Sequence, residues 1–546
     1  MAKIYTYDLN EDLLLNLLNK KLENNDLIGA LTVTKTLMER TNYNKLDLIS
    51  KRADIFYRMK NYSRACEEWF KYLTLTDEVR QTARAYNGLG ACFYKLQENA
   101  VAGYYFNKQM LADKKSYFNY SSVTLEYFEE ILSAKNNYYL AYPLDKADFT
   151  KLILLAEEKL KVGNYSGAIE DLKIIPSTSS FYPLSLITSS IAKFFLGDID
   201  GAIVDIENSI KIESSTVAIC NAISIFLSVN DKEKADFYFN MLDLATAKGV
   251  DLYKILLVYC EKGEDQTALS LAKRYLKENP FDVTVLFLLG LINFNLKNYE
   301  DSENAFKKCY LINGGYVEKY YLTMASNRCI MNNKMQYQFD LPENVRRIIV
   351  EEMKTFLSLK REERMGFEGK ILSICEYVFN SSSYSMQSTM ITLLGETKFK
   401  KSFEIMKNAL LSLNVYDGVK VGIIGYLTAE GYDGKVPVVF NKIYKNVTLY
   451  KSEILNNQKF IEAYAFLICK MVVIEDNLKP LKISVENIYK KLTKNGNIDK
   501  ITSVKALSAV IYEYSTIQKI ESRRDFAKFF ETDCRRISEI KALLKD

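Results

Sequence analysis

Histidine is absent from all 546 residues. That removes Ser-His-Asp and Cys-His nucleophilic systems, histidine-ligated metals and phosphohistidine relays from this chain. Acidic groups such as Glu129-Glu130 and Asp231–Glu233 fall on expected helices or turns without partners. The nine cysteines are scattered and never form Cys-x-x-Cys, so neither a zinc site nor a disulfide framework is expected. Long apolar runs are also missing: Val285–Leu291 and Ile461–Ile474, the latter broken by Lys470, are too short or too polar to span a bilayer. The N-terminus lacks the apolar core of a signal peptide, which leads to the expectation of a cytoplasmic protein with no membrane span. Proline and glycine are scarce beside abundant Lys, Asn, Ile and Tyr, the composition of an AT-rich bacterial genome. Phosphate-binding loops fail on inspection. Gly431-Tyr432-Asp433-Gly434-Lys435 has Ala429 where a P-loop needs glycine and Val436 where it needs Ser or Thr, and Gly88-Leu89-Gly90 has Phe93 in place of a third glycine. The chain is read as non-enzymatic, with no catalytic residue, cofactor or metal.

What is present is a rhythm. Small residues recur at Ala30, Ala65, Ala102, Ala168, Ala202, Ala235, Ala268 and Ser302, at spacings of 33 to 37 residues apart from one double step of 66. Each follows a turn such as Asn61-Tyr62, Gly163-Asn164 or Gly197-Asp198, then opens a helix with apolar residues at i, i+4 and i+7. Twelve residues earlier stand Ala53, Gly90, Ala156, Ser190, Ile223, Leu256 and Gly290, often followed after three by an aromatic, as with Phe56, Phe93, Phe226 and Tyr259. Small residues on both helices let a pair approach closely, and Pro280 suits a junction between hairpins.

This pattern resembles the tetratricopeptide repeat (TPR) family. It implies an all-α, right-handed superhelical solenoid of helical hairpins, followed here by an all-helical C-terminal domain. The expected domains are an N-terminal array of three repeats at 1–116, a degenerate repeat or linker helix at 117–148, a second array of five repeats at 149–316, and a helical domain at 317–546. The C-terminal helices include Val438–Tyr444 and one long element, Arg523–Leu544. Residues 388–447 are similar to HEAT repeats, with Asp417 and Lys420 at places that in that family cap and bridge adjacent hairpins.

From Leu341 onward there are 33 Lys and Arg against 25 Asp and Glu, a balance of +8 that leaves −3 for the residues before it. Pairs such as Arg346-Arg347 and Arg535-Arg536 read as a solvated helix face, with a nucleic-acid or anionic-membrane surface as the alternative. No membrane span is expected, and the oligomeric state is open.

A hairpin array offers an extended surface for many simultaneous contacts. The TPR resemblance implies a protein or peptide partner in the concave groove lined by the first helix of each repeat. The positions there are Ile187, Ile191, Phe194, Leu227, Tyr253, Leu257, Phe287 and Leu291, with Cys220 and Ser224 among them. A carboxylate clamp of the kind one subfamily uses does not fit, because Leu15 and Gly88 occupy donor positions. The alternative function is a peptide-responsive bacterial regulator with a basic C-terminal effector domain. The apolar face has its own alternative, coverage by another part of this chain.

Overall fold

The computed structural model describes residues 11–39, 45–112, 149–328, 334–380, 383–397, 399, 401–450, 457–471, 479–515 and 523–545. The expected linker at 117–148 lies outside them.

The N-terminal and central helices are α1 (Glu11–Glu23), α2 (Leu27–Glu39), α3 (Lys45–Arg58), α4 (Tyr62–Thr74), α5 (Val79–Lys95), α6 (Asn99–Ala112), α7 (Thr150–Lys161), α8 (Tyr165–Leu172), α9 (Tyr182–Phe195), α10 (Ile199–Ile212), α11 (Thr216–Ser228), α12 (Lys232–Phe239), α13 (Gly249–Lys262), α14 (Asp265–Glu278), α15 (Val283–Asn295), α16 (Tyr299–Asn313) and α17 (Tyr316–Ser326). All eight small residues of the repeat are buried, six alanines at 0%, Ala235 at 1% and Ser302 at 0%. The close approach they permit is visible at Gly90 and Gly290, where an added Cβ would lie 2.6 Å from the Phe106 and Phe306 rings respectively.

The turn inside each hairpin is built one way. Asn25, Lys60, Gln97, Gly163, Gly197, Asn230, Gly263 and Lys297, each five residues before a small position, all have left-handed backbone. The amide of the next residue then bonds back to a carbonyl in the last turn of the first helix at 2.8–3.1 Å, as in Asn61 N to Phe56 O and Asn298 N to Asn293 O. That is the Schellman arrangement, which satisfies carbonyls a helix end leaves open. The residue donating that amide is Asp, Asn or Glu in every case. At Asn164, Asp198 and Asp231 its side chain caps the second helix by accepting from Gly167, Gly201 and Lys234 N.

The remaining elements are α18 (Glu343–Ser358), α19 (Arg361–Met365), α20 (Glu368–Val378), α21 (Tyr384–Thr397), α22 (Ser402–Leu411), α23 (Asp417–Ala429), β1 (Gly434–Phe440), β2 (Ile443–Leu449), α24 (Gln458–Met471), α25 (Lys479–Lys494), α26 (Val504–Tyr514), α27 (Arg523–Phe529) and α28 (Cys534–Leu543). The class is all-α, with one antiparallel hairpin among the described residues. That hairpin corrects the expected helix Val438–Tyr444. Val436, Val438, Ile443, Val447 and Leu449 are all buried on the strands, and Asn441-Lys442 supply the two left-handed residues of a tight two-residue turn. Arg523–Leu544 is likewise two helices, broken where Glu531 turns left-handed.

The described residues fall into two compact units that cut across the sequence boundaries. The first gathers those of 1–48, 54–61 and 141–348; the second gathers those of 49–53, 62–140 and 349–546. In the first unit α2 packs on α16, with Lys35 Nζ 6.0 Å from the Tyr310 ring, and Lys60 Nζ donates to Asn279 at 3.2 Å. The first hairpin thus packs on a later repeat as well as on its neighbour in sequence, where Arg58 of α3 donates to Leu22 O at 3.2 Å and to Asn25 at 2.9 Å. The array also runs past residue 316, because α17 packs on α16 as one more first helix with Tyr321 and Ala325 buried.

In the second unit, α4–α6 pack with the C-terminal elements. Tyr105 Oη donates to Lys442 O at 2.7 Å and accepts from Tyr444 N at 2.9 Å, while the Phe70 and Tyr444 rings stack at 6.2 Å. Glu67 accepts from Ser412 Oγ and Leu413 N. Asp417 and Lys420 do meet, at 3.4 Å, but they serve the β-hairpin: Asp417 accepts from Asn441 N, and buried Lys420 donates to Val439 O at 2.7 Å. Burial pulls the Lys420 ammonium below the usual lysine range, against the opposing attraction of Asp417.

Candidate functional site

The first-helix face of the central repeats belongs to the first unit, on α9, α11, α13 and α15. Helix α15 is apolar nearly all round, and this follows from having neighbours on every side: Val285 to Leu288 and Gly290 to Phe294 are all buried. The eight positions named from sequence separate into two groups.

Ile191 and Phe194 on α9, Leu227 on α11, and Tyr253 and Leu257 on α13 are half-buried, resting on the apolar core with one side open. Between α11 and α13, Ser224 Oγ donates to Glu261 at 2.6 Å. Surrounding protein raises the Glu261 carboxyl despite that bond. Burial likewise pushes the Cys220 thiol up to about 12, in keeping with a packed side chain 3% exposed.

Ile187, Phe287 and Leu291 are closed. Ile187 is 5% exposed and the other two 0%. The Phe287 ring lies 5.3 Å from Phe306, 5.0 Å from Tyr321 and 4.4 Å from Phe339, fully surrounded by this chain. Expected as an anchor for a partner, Phe287 is instead an anchor for the chain's own residues. Leu291, one turn on, has no surface to offer either.

What covers α15 is an irregular segment, residues 334–341, that is neither helix nor strand. It runs antiparallel to α15, with Met335 opposite Asn295 and Phe339 opposite Phe287. Asn295 reads its main chain twice: Nδ2 donates to Met335 O at 3.0 Å, and Oδ1 accepts from Met335 N at 2.8 Å. Asp265, 7% exposed at the start of α14, receives Lys334 Nζ at 2.7 Å and Tyr337 Oη at 2.6 Å. Burial, and the hydrogen bond to Asp265 after it, hold the Tyr337 phenol well above its ordinary value. Tyr321 Oη donates to Asp340 O at 3.0 Å, and Arg346 pairs with the Asp340 carboxylate at 3.1 Å.

Sequence reading missed this segment, although its signal is simple. Met335-Gln-Tyr337-Gln-Phe339-Asp-Leu341 alternates apolar and polar residues, the period of an extended chain with one face bound. Met335 and Leu341 are buried and Tyr337 packs on the core, as that alternation requires, while Phe339 touches Phe287 yet stays 40% exposed.

The second unit has a separate cavity of about 360 Å³, lined by Arg64, Glu67, Lys71, Cys375, Phe379 and Asn408 among others. No described helix is long and apolar enough to cross a membrane.

No family model matches the chain, and no curated protein matches it. Among solved structures it is similar to the TPR2AB domain of yeast Sti1 in its pHSP90 complex, at 14% identity over 49% of this chain and 97% of that one, with a TM-score of 0.20. A tetratricopeptide repeat protein from Parabacteroides merdae matches at 14% identity over 58% and 98%, TM-score 0.19. Yeast Tom70 matches at 12% identity over 92% and 99%, TM-score 0.20. This chain's own turns, its small residues at helix crossings and its period of about 34 residues make the array one of tetratricopeptide type.

Proposed function

We propose that this tetratricopeptide-type array is a non-enzymatic interaction scaffold that seats an extended segment of a protein partner along the first helices of its central repeats. One observation carries the reading. The array already seats an extended peptide, and it does so through Asn295 bonding to main chain, a contact indifferent to the side chain borne there. Upstream of that peptide, Ile191, Phe194, Leu227, Tyr253 and Leu257 continue an apolar face that is half open. Apolar side chains of an extended partner, at every second position, would meet it. Full burial of one aromatic anchor is worth roughly 1.5–3 kcal/mol, so several such contacts are needed to offset the roughly 4–15 kcal/mol that association itself costs.

The test is selection of displayed random peptides on the full-length protein. Enriched peptides are expected to be apolar at alternate positions and to lose binding to the Leu227→Asp and Leu257→Asp variants, both still helical by circular dichroism. Selection of nothing, or of peptides indifferent to both variants, refutes the scaffold reading at this face.

A further inference from the structure

We infer that residues 334–340 are a built-in occupant of the peptide-reading face, and that the partner segment they stand in for is an extended peptide of matching chemistry. That chemistry is a basic residue, then apolar or aromatic side chains at every second position, then an acid. The inference rests on the scaffold reading and gives its partner a class.

Three features separate this segment from ordinary connecting chain. First, it is held mainly from outside itself: Gln338 N to Gln336 O is its own turn, while Asn295, Asp265 and Tyr321 supply the bonds to its main chain, Lys334 and Tyr337. Second, the contacts to its side chains have a chemical preference. The Asp265 carboxylate, with both oxygens engaged, selects an ammonium and a phenol three residues apart. The Phe287 ring, tilted 53° to its partner, selects an aromatic ring two residues further on. Third, the segment is shallow at its two ends, though Met335 is buried: Lys334 has a 60% exposed side chain in its ion pair, and Phe339 is 40% exposed while touching Phe287. Leu341, at 0% exposure, is the fixed point from which residues 334–340 can lift.

A segment tethered at such a point competes with a free peptide at millimolar effective concentration, so weakening it raises the apparent affinity of a free peptide by about tenfold or more. The probe is the labelled peptide Lys-Met-Gln-Tyr-Gln-Phe-Asp, with blocked ends, titrated against the full-length protein. Binding is expected to be weak for the unaltered chain and at least about tenfold tighter for the double variant Tyr337→Ser, Phe339→Ser. Adding Asn295→Ala should remove it, and a peptide with the Gln and aromatic positions exchanged should not bind. A second measurement covers the case in which the double variant fails to fold. Excess unlabelled peptide should speed amide hydrogen exchange at residues 335–340 of the unaltered protein.

If selected peptides bind the Leu227–Leu257 face but this probe neither binds the double variant nor changes exchange, the inference falls and the scaffold reading stands. If the probe binds equally well with Asn295→Ala, the inference also falls, since the site is elsewhere. If no peptide of any kind binds, both fall.

Discussion

Replacing Gly263 by alanine isolates the cost of one backbone angle. Gly263 ends α13 at φ +80°, and a Cβ built on it would meet nothing within 4 Å. Steric packing therefore contributes nothing, and the penalty is that of an L-residue in the left-handed region, about 1–2 kcal/mol. Alanine also restricts the unfolded chain relative to glycine, returning about 0.4–1 kcal/mol. The expected loss is thus about 0–1.6 kcal/mol, or up to very roughly 6 °C in melting temperature for a unit of this size. Lys297 occupies the equivalent place one repeat later at φ +64° and bears the same strain with a side chain already present. Lys297→Gly should therefore move stability the other way by a similar amount. Both variants are measured by urea denaturation with circular dichroism, at equal slope. If Gly263→Ala stabilises the protein, or Lys297→Gly destabilises it beyond error, the shared turn geometry is not what limits these positions.

Gly290→Ala is a contrasting case, because its Cβ would press on the Phe306 ring; overpacking should cost about 1–3 kcal/mol in the same denaturation experiment. Phe287→Ala should cost about 3–5 kcal/mol as a core truncation, and a loss below 1 kcal/mol would show its ring to be surface after all. In the second unit, Tyr105→Phe leaves Lys442 O and Tyr444 N without their shared hydroxyl, at a cost of about 1–3 kcal/mol, with faster exchange at the Tyr444 amide as the direct readout. Unchanged exchange there would mean the hairpin is held by packing alone.

The repeat was legible because it is local. Turn, cap and small residue lie within six positions of one another, so Lys297-Asn298 and Ser302 announce their hairpin without reference to the rest of the chain. Phe287 was legible as apolar but not as covered, since Phe339 lies 52 residues on and no periodicity links the two. The β-hairpin misled for a different reason. Val438, Val439, Phe440, Ile443 and Tyr444 fit a helical stripe, and only Asn441-Lys442 with their positive φ decide for a turn. Asp417 and Lys420, expected from the HEAT resemblance to cap and bridge adjacent hairpins, bond to each other and to main-chain groups at 441 and 439, which no side-chain pattern reveals.

The second unit also has a schedule. Tyr105 and Lys442 are 337 residues apart, and Glu67 and Ser412 are 345 apart. At a synthesis rate of about 5–20 residues per second, α4–α6 leave the ribosome roughly 17–70 s before the strands and helix they pack against. Throughout that interval Phe70 and Tyr105, both fully buried in the finished protein, lack the hairpin that Tyr105 grips and Tyr444 helps to cover. Helical repeats ordinarily close as they emerge, each on the one before. Here the contacts of α4–α6 with the hairpin must wait for the final third of the chain, so their order of closure differs from that of a simple array.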